Sequence, residues 1–401
     1  MRRPRVIIQI FLLLVSAAGM IAQSRLRVQI SHTSESLRGV SAVSRNVAWA
    51  SGTHGTYLRT IDGGRTWIPA QVPEAGALDF RGVVAFSADE AFLMSAGPGE
   101  QSRIYHTSDA GQHWQLQFTN TNPKGFFDSM AFWDPKHGVV LGDPVADETG
   151  NETGNETGNE TGKLKFEVLL TDDGQNWRTI PPAQLPDAKE GEGAFAASNT
   201  CIAIIRSQSS PASSFTSDSN IWFATGGKVA RAFHSPDRGR SWQVFDTPVA
   251  HGPESAGIFS IAFRDGVHGV IAGGDYKHPN DDGPNLAFTD DGGRSWKLSS
   301  LHPQAYFSAV AYGRRVNEAA TRDAEIAATT AGRGTKARVK PPPPEGMFIV
   351  AQDFVFDFRP PNDSKRVGDG KKPGITFNAV SAYPEGGALV VGAKGSIAFI
   401  P

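Results

Sequence analysis

Short apolar runs closed by glycine recur along the whole chain, as in VAWASG, GVVLGD, IWFATGG, GVIAGGD and ALVVGA. Each follows a short opening of its own: LRGV at 37–40, FRGV at 80–83, FDSM at 127–130, GEGA at 191–194, FSIA at 259–262, FSAV at 307–310 and FNAV at 377–380. A third run leads into a polar turn and a fourth begins beyond it, so the pattern predicts units of four short strands. Seven openings predict an all-β chain with seven blades of four strands, arranged as a propeller rather than a sandwich. The last unit stops one strand short, whereas LRVQISH at 26–32 reads as a strand with no unit of its own. An N-terminal strand that completes the last blade closes the ring and removes an exposed edge.

The turn between third and fourth strands carries a motif, Ser/Thr-x-Asp-x-Gly-x-x-Trp. It reads TIDGGRTW at 60–67, TSDAGQHW at 107–114, SPDRGRSW at 235–242 and TDDGGRSW at 289–296; a fifth copy, LTDDGQNW at 170–177, has Leu170 in the hydroxyl position. An aspartate can accept hydrogen bonds from N–H groups of its own turn, glycine supplies a positive φ, and tryptophan packs between layers. Structural roles therefore go to Asp62, Gly64 and Trp67, to Asp109, Gly111 and Trp114, to Asp172, Gly174 and Trp177, to Asp237, Gly239 and Trp242, and to Asp291, Gly293 and Trp296. All five tryptophans are expected to be largely buried. The sixth unit has no such turn.

Composition narrows the function classes. A net charge of −2 offers no strong field for nucleic acid or a membrane surface. The single cysteine, Cys201, excludes an intrachain disulfide and a thiolate metal cluster, and the CIAII run it opens predicts a buried, inert thiol. Arg2, Arg3 and Arg5 precede an apolar run at 6–22 with small residues towards its end, the order of a secretory signal peptide cleaved near 19 or 22. That predicts a secreted or periplasmic protein, in contact with a membrane only if this segment is retained. The remainder, 26–401, reads as one propeller and a monomer. Three disordered insertions are expected: 148–162, a tandem Glu-Thr-Gly-Asn tract with sequons at Asn151, Asn155 and Asn159; the Ser-rich 207–219; and the basic, Pro-rich 314–345. A further sequon stands at Asn362.

Candidate chemistry sits at the blade openings, which face the mouth of the central channel. Their second positions are Arg38, Arg81, Asp128, Glu192, Ser260, Ser308 and Asn378, and the turns after the second strands add Asp143 and Asp275. Such a ring suits ligand binding; it also suits a water-filled channel, whose walls need polar groups. Asp128 and Glu192, from adjacent units, are the pair a glycoside hydrolase would use. No metal-binding, dinucleotide, P-loop or hydrolase-elbow motif is present, so no metal or cofactor is expected.

The repeated turn resembles that of the Asp-box (bacterial neuraminidase repeat) propellers, over nearly the whole chain after the N-terminal segment. It is similar to the photosystem II stability/assembly factor group and its relatives in non-photosynthetic bacteria, within the wider set of WD40/YVTN-like and sialidase-like propellers. The resemblance implies seven blades, a binding or assembly role, and boxes on the face opposite the working one. It does not imply a sialidase, because the segment Phe/Tyr-Arg-Ile-Pro is absent. The reading is thus a secreted, non-catalytic propeller that binds a partner protein or an extracellular glycan at the channel mouth, with a glycoside hydrolase using Asp128 and Glu192 as the alternative.

Overall fold

The computed structural model describes residues 26–147, 163–205, 219–300, 305–314, 345–352, 354–359, 363–367 and 375–401. The expected signal segment 1–22, the tract 148–162 with its three sequons, Asn362 and nearly all of the other two insertions lie outside them. The described residues form seven antiparallel sheets, each with a four-stranded path from axis to rim. Blade one shows the pattern: Leu37–Ala42, Ala48–Gly52, Thr56–Thr60 and Ile68–Gln71, paired in that order. Every residue of Ala48–Gly52 is buried, because a blade's second strand is covered on both faces by neighbouring blades. The core is accordingly divided among the seams between blades. One cluster joins Leu37, Leu58 and Trp67 of blade one to Leu389 and Ile397 of blade seven.

The ring closes through the N-terminal strand. Arg27–Gln29 pairs antiparallel with Ile397–Ile400, with Val28 opposite Ala398, and becomes the outermost strand of blade seven. Blade six keeps four strands without the repeated turn: Phe307–Arg314, Glu345–Ala351, Phe354–Arg359 and Asp363–Val367. Arg314 and Glu345, expected in an insertion, instead pair with each other as the ends of its first two strands.

The repeated turn is held as its chemistry predicts. In the first copy Gly64 N–H donates to Thr60 Oγ1 (2.9 Å), Thr66 N–H donates to Asp62 Oδ1 (2.9 Å), and Gly64 has a φ of +80°. The fifth copy is corrected by one position. Thr171 supplies the hydroxyl, accepting from Gly174 N–H, and Asp173 accepts from Asn176 N–H, while Asp172 is exposed and faces Arg178. The turn there is one residue shorter, so the hydroxyl is not missing. Trp67 and Trp296 are buried (1% and 8% exposed), whereas Trp114, Trp177 and Trp242 are only half-buried. Two turns are clamped from the preceding blade by a glutamine side chain. Gln29 accepts from Trp67 Nε1 and donates to the Gly63 carbonyl, and Gln117 does the same for Trp177 and Gly174.

Blade four departs from the sequence expectation. Its inner strand is Ile202–Ile204, not GEGA at 191–194. Glu192–Gly193 instead pairs with Gly226–Gly227, which in turn meets Gly257 of blade five. The run between Gly193 and the strand Ile202–Ile204, residues 194–200, leaves the blade and crosses the central channel.

Candidate functional site

Five inner strands carry a one-residue bulge near their start. The register shifts at Leu37/Gly39, Phe80/Gly82, Phe127/Ser129, Ile258/Ser260 and Phe307/Ala309. A bulge bends the strand and re-aims the extra side chain, here Arg38, Arg81, Asp128, Phe259 and Ser308. Four of these were expected from sequence. In blade five the bulge falls on Phe259 rather than Ser260, whose hydroxyl is buried and accepts from Val310 N–H (2.9 Å), pinning blade five to blade six.

A cavity of about 600 Å³ opens at this face, lined by Arg38, Arg81, Asp128, Asp143, Ser308 and Asn378 among others. Six of the nine candidate residues thus share one cavity. Ser260, Glu192 and Asp275 are not in its lining. Glu192 is buried in a two-pronged ion pair with Arg231 and also accepts from Thr225 Oγ1 (2.7 Å) and Lys189 N–H (2.8 Å). With all its lone pairs engaged away from the cavity, it cannot partner Asp128 in glycoside hydrolysis. Asp275 holds its own turn, accepting from Lys277 N–H (2.9 Å) and facing His278 Nδ1 (2.8 Å).

The two arginines are organised by a residue that sequence reading missed. Asp79 lies 2.9 Å from Arg81 Nε through one carboxylate oxygen and 3.5 Å from Arg38 Nε through the other. It stands two residues before Arg81 on the same strand, so the alternation of strand side chains was the available signal. The three groups are partly exposed, which leaves guanidinium edges facing the cavity.

On the floor the electrostatics reverse. Asp128 is 1% exposed, and its Oδ2 makes no hydrogen bond. Burial pushes its carboxyl well above the usual carboxylate range, Asp143 adds to the shift, and Arg81 opposes it. Asp143 is raised to about 6 by burial, against a hydrogen bond from Ala194 N–H (2.9 Å). Glu167, opposite Gly142 on the next strand, is also raised by burial, against a hydrogen bond from Asn120. Cys201 is buried, and burial pushes its thiol up, as an inert structural cysteine requires.

The channel is not an open, water-filled tube. The segment 194–200 crosses it and bonds to the inner strands of three other blades. Arg81 Nη1 donates to the Ala196 carbonyl (2.9 Å), Met130 N–H donates to Asn199 Oδ1 (2.8 Å), and Ser198 Oγ donates to the Ser308 carbonyl (2.7 Å). Blades two, three and six are reached by one seven-residue stretch, which therefore lies on the axis. The mouth is a blind cavity, with Ala194, Phe195, Ala196 and Ala197 in its lining.

Comparison with known proteins places this architecture. Residues 20–123 match the family model described as photosynthesis system II assembly factor YCF48. The photosystem II stability/assembly factor HCF136 of rice, Oryza sativa subsp. japonica, is 37% identical over 67 residues, covering 16% of this chain and 15% of that protein. The matched stretch thus spans only a small part of that relative's length. Among solved structures, YCF48 bound to D1 peptide superposes with a TM-score of 0.57 at 14% identity, covering 94% of each chain. The WD40 propeller domain of Doa1 superposes almost as well, with a TM-score of 0.55 at 10% identity over 94% of this chain and 97% of that one. Likeness at such identities carries the fold alone.

Proposed function

Starting from a seven-bladed propeller similar to the photosystem II assembly factors, we propose that this chain is a non-catalytic binding protein that receives a segment of a partner protein in its blind channel mouth. The observation that carries the reading is the Asp79-organised pair Arg38 and Arg81 on the cavity wall. Arg81, hydrogen-bonded to Asp79 and to the Ala196 carbonyl, and Arg38, ion-paired to the same carboxylate, gather positive charge on one wall, which favours a carboxylate-bearing ligand group. The solved YCF48 structure with a D1 peptide supports a peptide segment as the class of ligand. The basic and apolar N-terminus supports export, so the partner is to be sought in the cell envelope.

Affinity capture from the native envelope tests this without a guessed ligand. Arg38→Ala with Arg81→Ala should abolish capture of a partner protein while the thermal melt stays close to that of the parent. Arg65→Ala with Arg294→Ala, in exposed turns on the opposite face, should leave capture intact. Loss of capture by the second pair and not the first would place the working face wrongly. Capture that survives protease digestion of the envelope would point to a glycan and sink the protein-segment reading.

A further inference from the structure

The channel-mouth cavity is chemically divided. Towards blades one to three it is ionic, with Arg38, Arg81, Asp128 and Asp143. Towards blades five and six it is aromatic. Phe259 takes the bulge position that is polar in blades one, two, three and six, and Phe195, from the segment crossing the channel, stacks on it with ring centroids 3.8 Å apart and planes at 12°. Tyr306 meets Phe259 edge-on at 4.7 Å and 86°, and Tyr276 does so at 6.1 Å and 81°. All four rings line the cavity.

This wall is built before any ligand arrives. Tyr276 follows Asp275, whose carboxylate fixes the turn, and its N–H donates to the Ser255 carbonyl (3.2 Å). Tyr306 N–H donates to the Pro279 carbonyl (2.9 Å), tying the two tyrosine-bearing stretches together. Tyr276 nevertheless remains 49% exposed, the outermost ring of the wall. A preorganised aromatic surface with one ring still open adds affinity at low ordering cost when another apolar group covers it.

We infer that this wall is a second subsite, which takes an aromatic or large aliphatic side chain of the same partner segment whose carboxylate rests on Arg38 and Arg81. The inference rests on the protein-segment reading above and specifies the ligand: an acidic residue and a bulky apolar one, close together in an extended stretch. The ionic half orients the segment; the aromatic half selects among acidic segments. The pairing of the two halves in one blind cavity is the complementarity that favours such a peptide over a purely polar ligand.

The test is a degenerate heptapeptide library displayed on phage and panned against the full chain. Peptides enriched in Asp or Glu together with Phe, Tyr, Trp or Leu are expected. For the best synthetic peptide, Tyr276→Ala should weaken binding about three- to tenfold. Panning on that variant should then lose the apolar preference and keep the acidic one, while Arg38→Ala with Arg81→Ala should do the reverse. Phe195→Ala provides a second probe of the wall, with thermal melts confirming that each variant is folded. Acidic peptides enriched with no apolar preference, or bound equally by Tyr276→Ala, would overturn the aromatic subsite and leave the protein-segment reading in place. Enrichment of no peptide would overturn both, and selective binding of neutral oligosaccharides would give the wall to sugar rings.

Discussion

Truncation of Trp67 attacks the seam where the ring closes. The indole is 1% exposed and belongs to the cluster joining blade one to blade seven, beside Leu389 and Ile397. Its Nε1 donates to Gln29 Oε1 (2.8 Å), on the N-terminal strand that completes blade seven, and Gln29 Nε2 donates in turn to the Gly63 carbonyl (3.2 Å). Trp67→Ala removes a full core side chain and should cost about 3–5 kcal/mol. Trp67→Phe keeps most of the ring but leaves Gln29 Oε1 without its donor, a loss of about 1–2 kcal/mol. Combining Trp67→Phe with Gln29→Ala should show coupling of about 0.5–1.5 kcal/mol, because the two changes remove the same bond. Trp242 is half-buried and its Nε1 bonds the Gly239 carbonyl of its own turn, so Trp242→Ala should cost only about 1–3 kcal/mol. Urea denaturation followed by far-ultraviolet circular dichroism measures all five variants, the single Gln29→Ala that the coupling requires included. A cost below about 1 kcal/mol for Trp67→Ala, or equal costs at the two tryptophans, would refute the claim that this indole locks the closing seam.

Three further outcomes follow from the same geometry. Glu192→Ala strands a buried Arg231 and should destabilise by about 3–5 kcal/mol in the same assay, whereas a cavity carboxylate without structural duty would cost little. Asp143, raised to about 6, is protonated when folded and ionised when unfolded between about pH 4 and 6, so its contribution to stability falls as pH rises through that window. Asp143→Asn should therefore stabilise by about 1–3 kcal/mol at pH 7.5 and by almost nothing at pH 4, and a stability difference that does not change with pH would contradict this. Replacing 148–162 by Asn-Gly should leave the melting temperature almost unchanged, because Asp147 N–H already bonds the Lys163 carbonyl and Ala146 pairs with Leu164; unfolding of that variant would show that the tract carries structure.

Much of the fold was legible because it is written locally. Thr60, Asp62 and Gly64 bond within one five-residue turn, so spacing alone reveals the turn and its repetition. The closing strand was legible for a related reason: a unit one strand short and a strand without a unit complete each other. Errors arose where one residue of slip matters. Asp172 and Asp173 are chemically identical neighbours, and only the backbone path shows which one the turn binds. Ser260 and Phe259 exchange roles because a bulge is defined by pairing with a second strand, Gly269–Asp275, and not by the FSIA string itself. GEGA resembled an opening because its spacing was right, while the segment after it had left the blade pattern to cross the channel.

The sequence by itself determined the unit, its turn and the closure of the ring, since each depends on contacts within a blade or on the count of strands. Which side chains meet at the axis was decided only by the tertiary structure. There, Arg81 finds its partner at Ala196 and Ser198 at Ser308, more than a hundred positions away in each case. Asp128 is driven towards its protonated form by burial, and burial at the axis arises only when seven blades and a crossing segment exclude water from the same point.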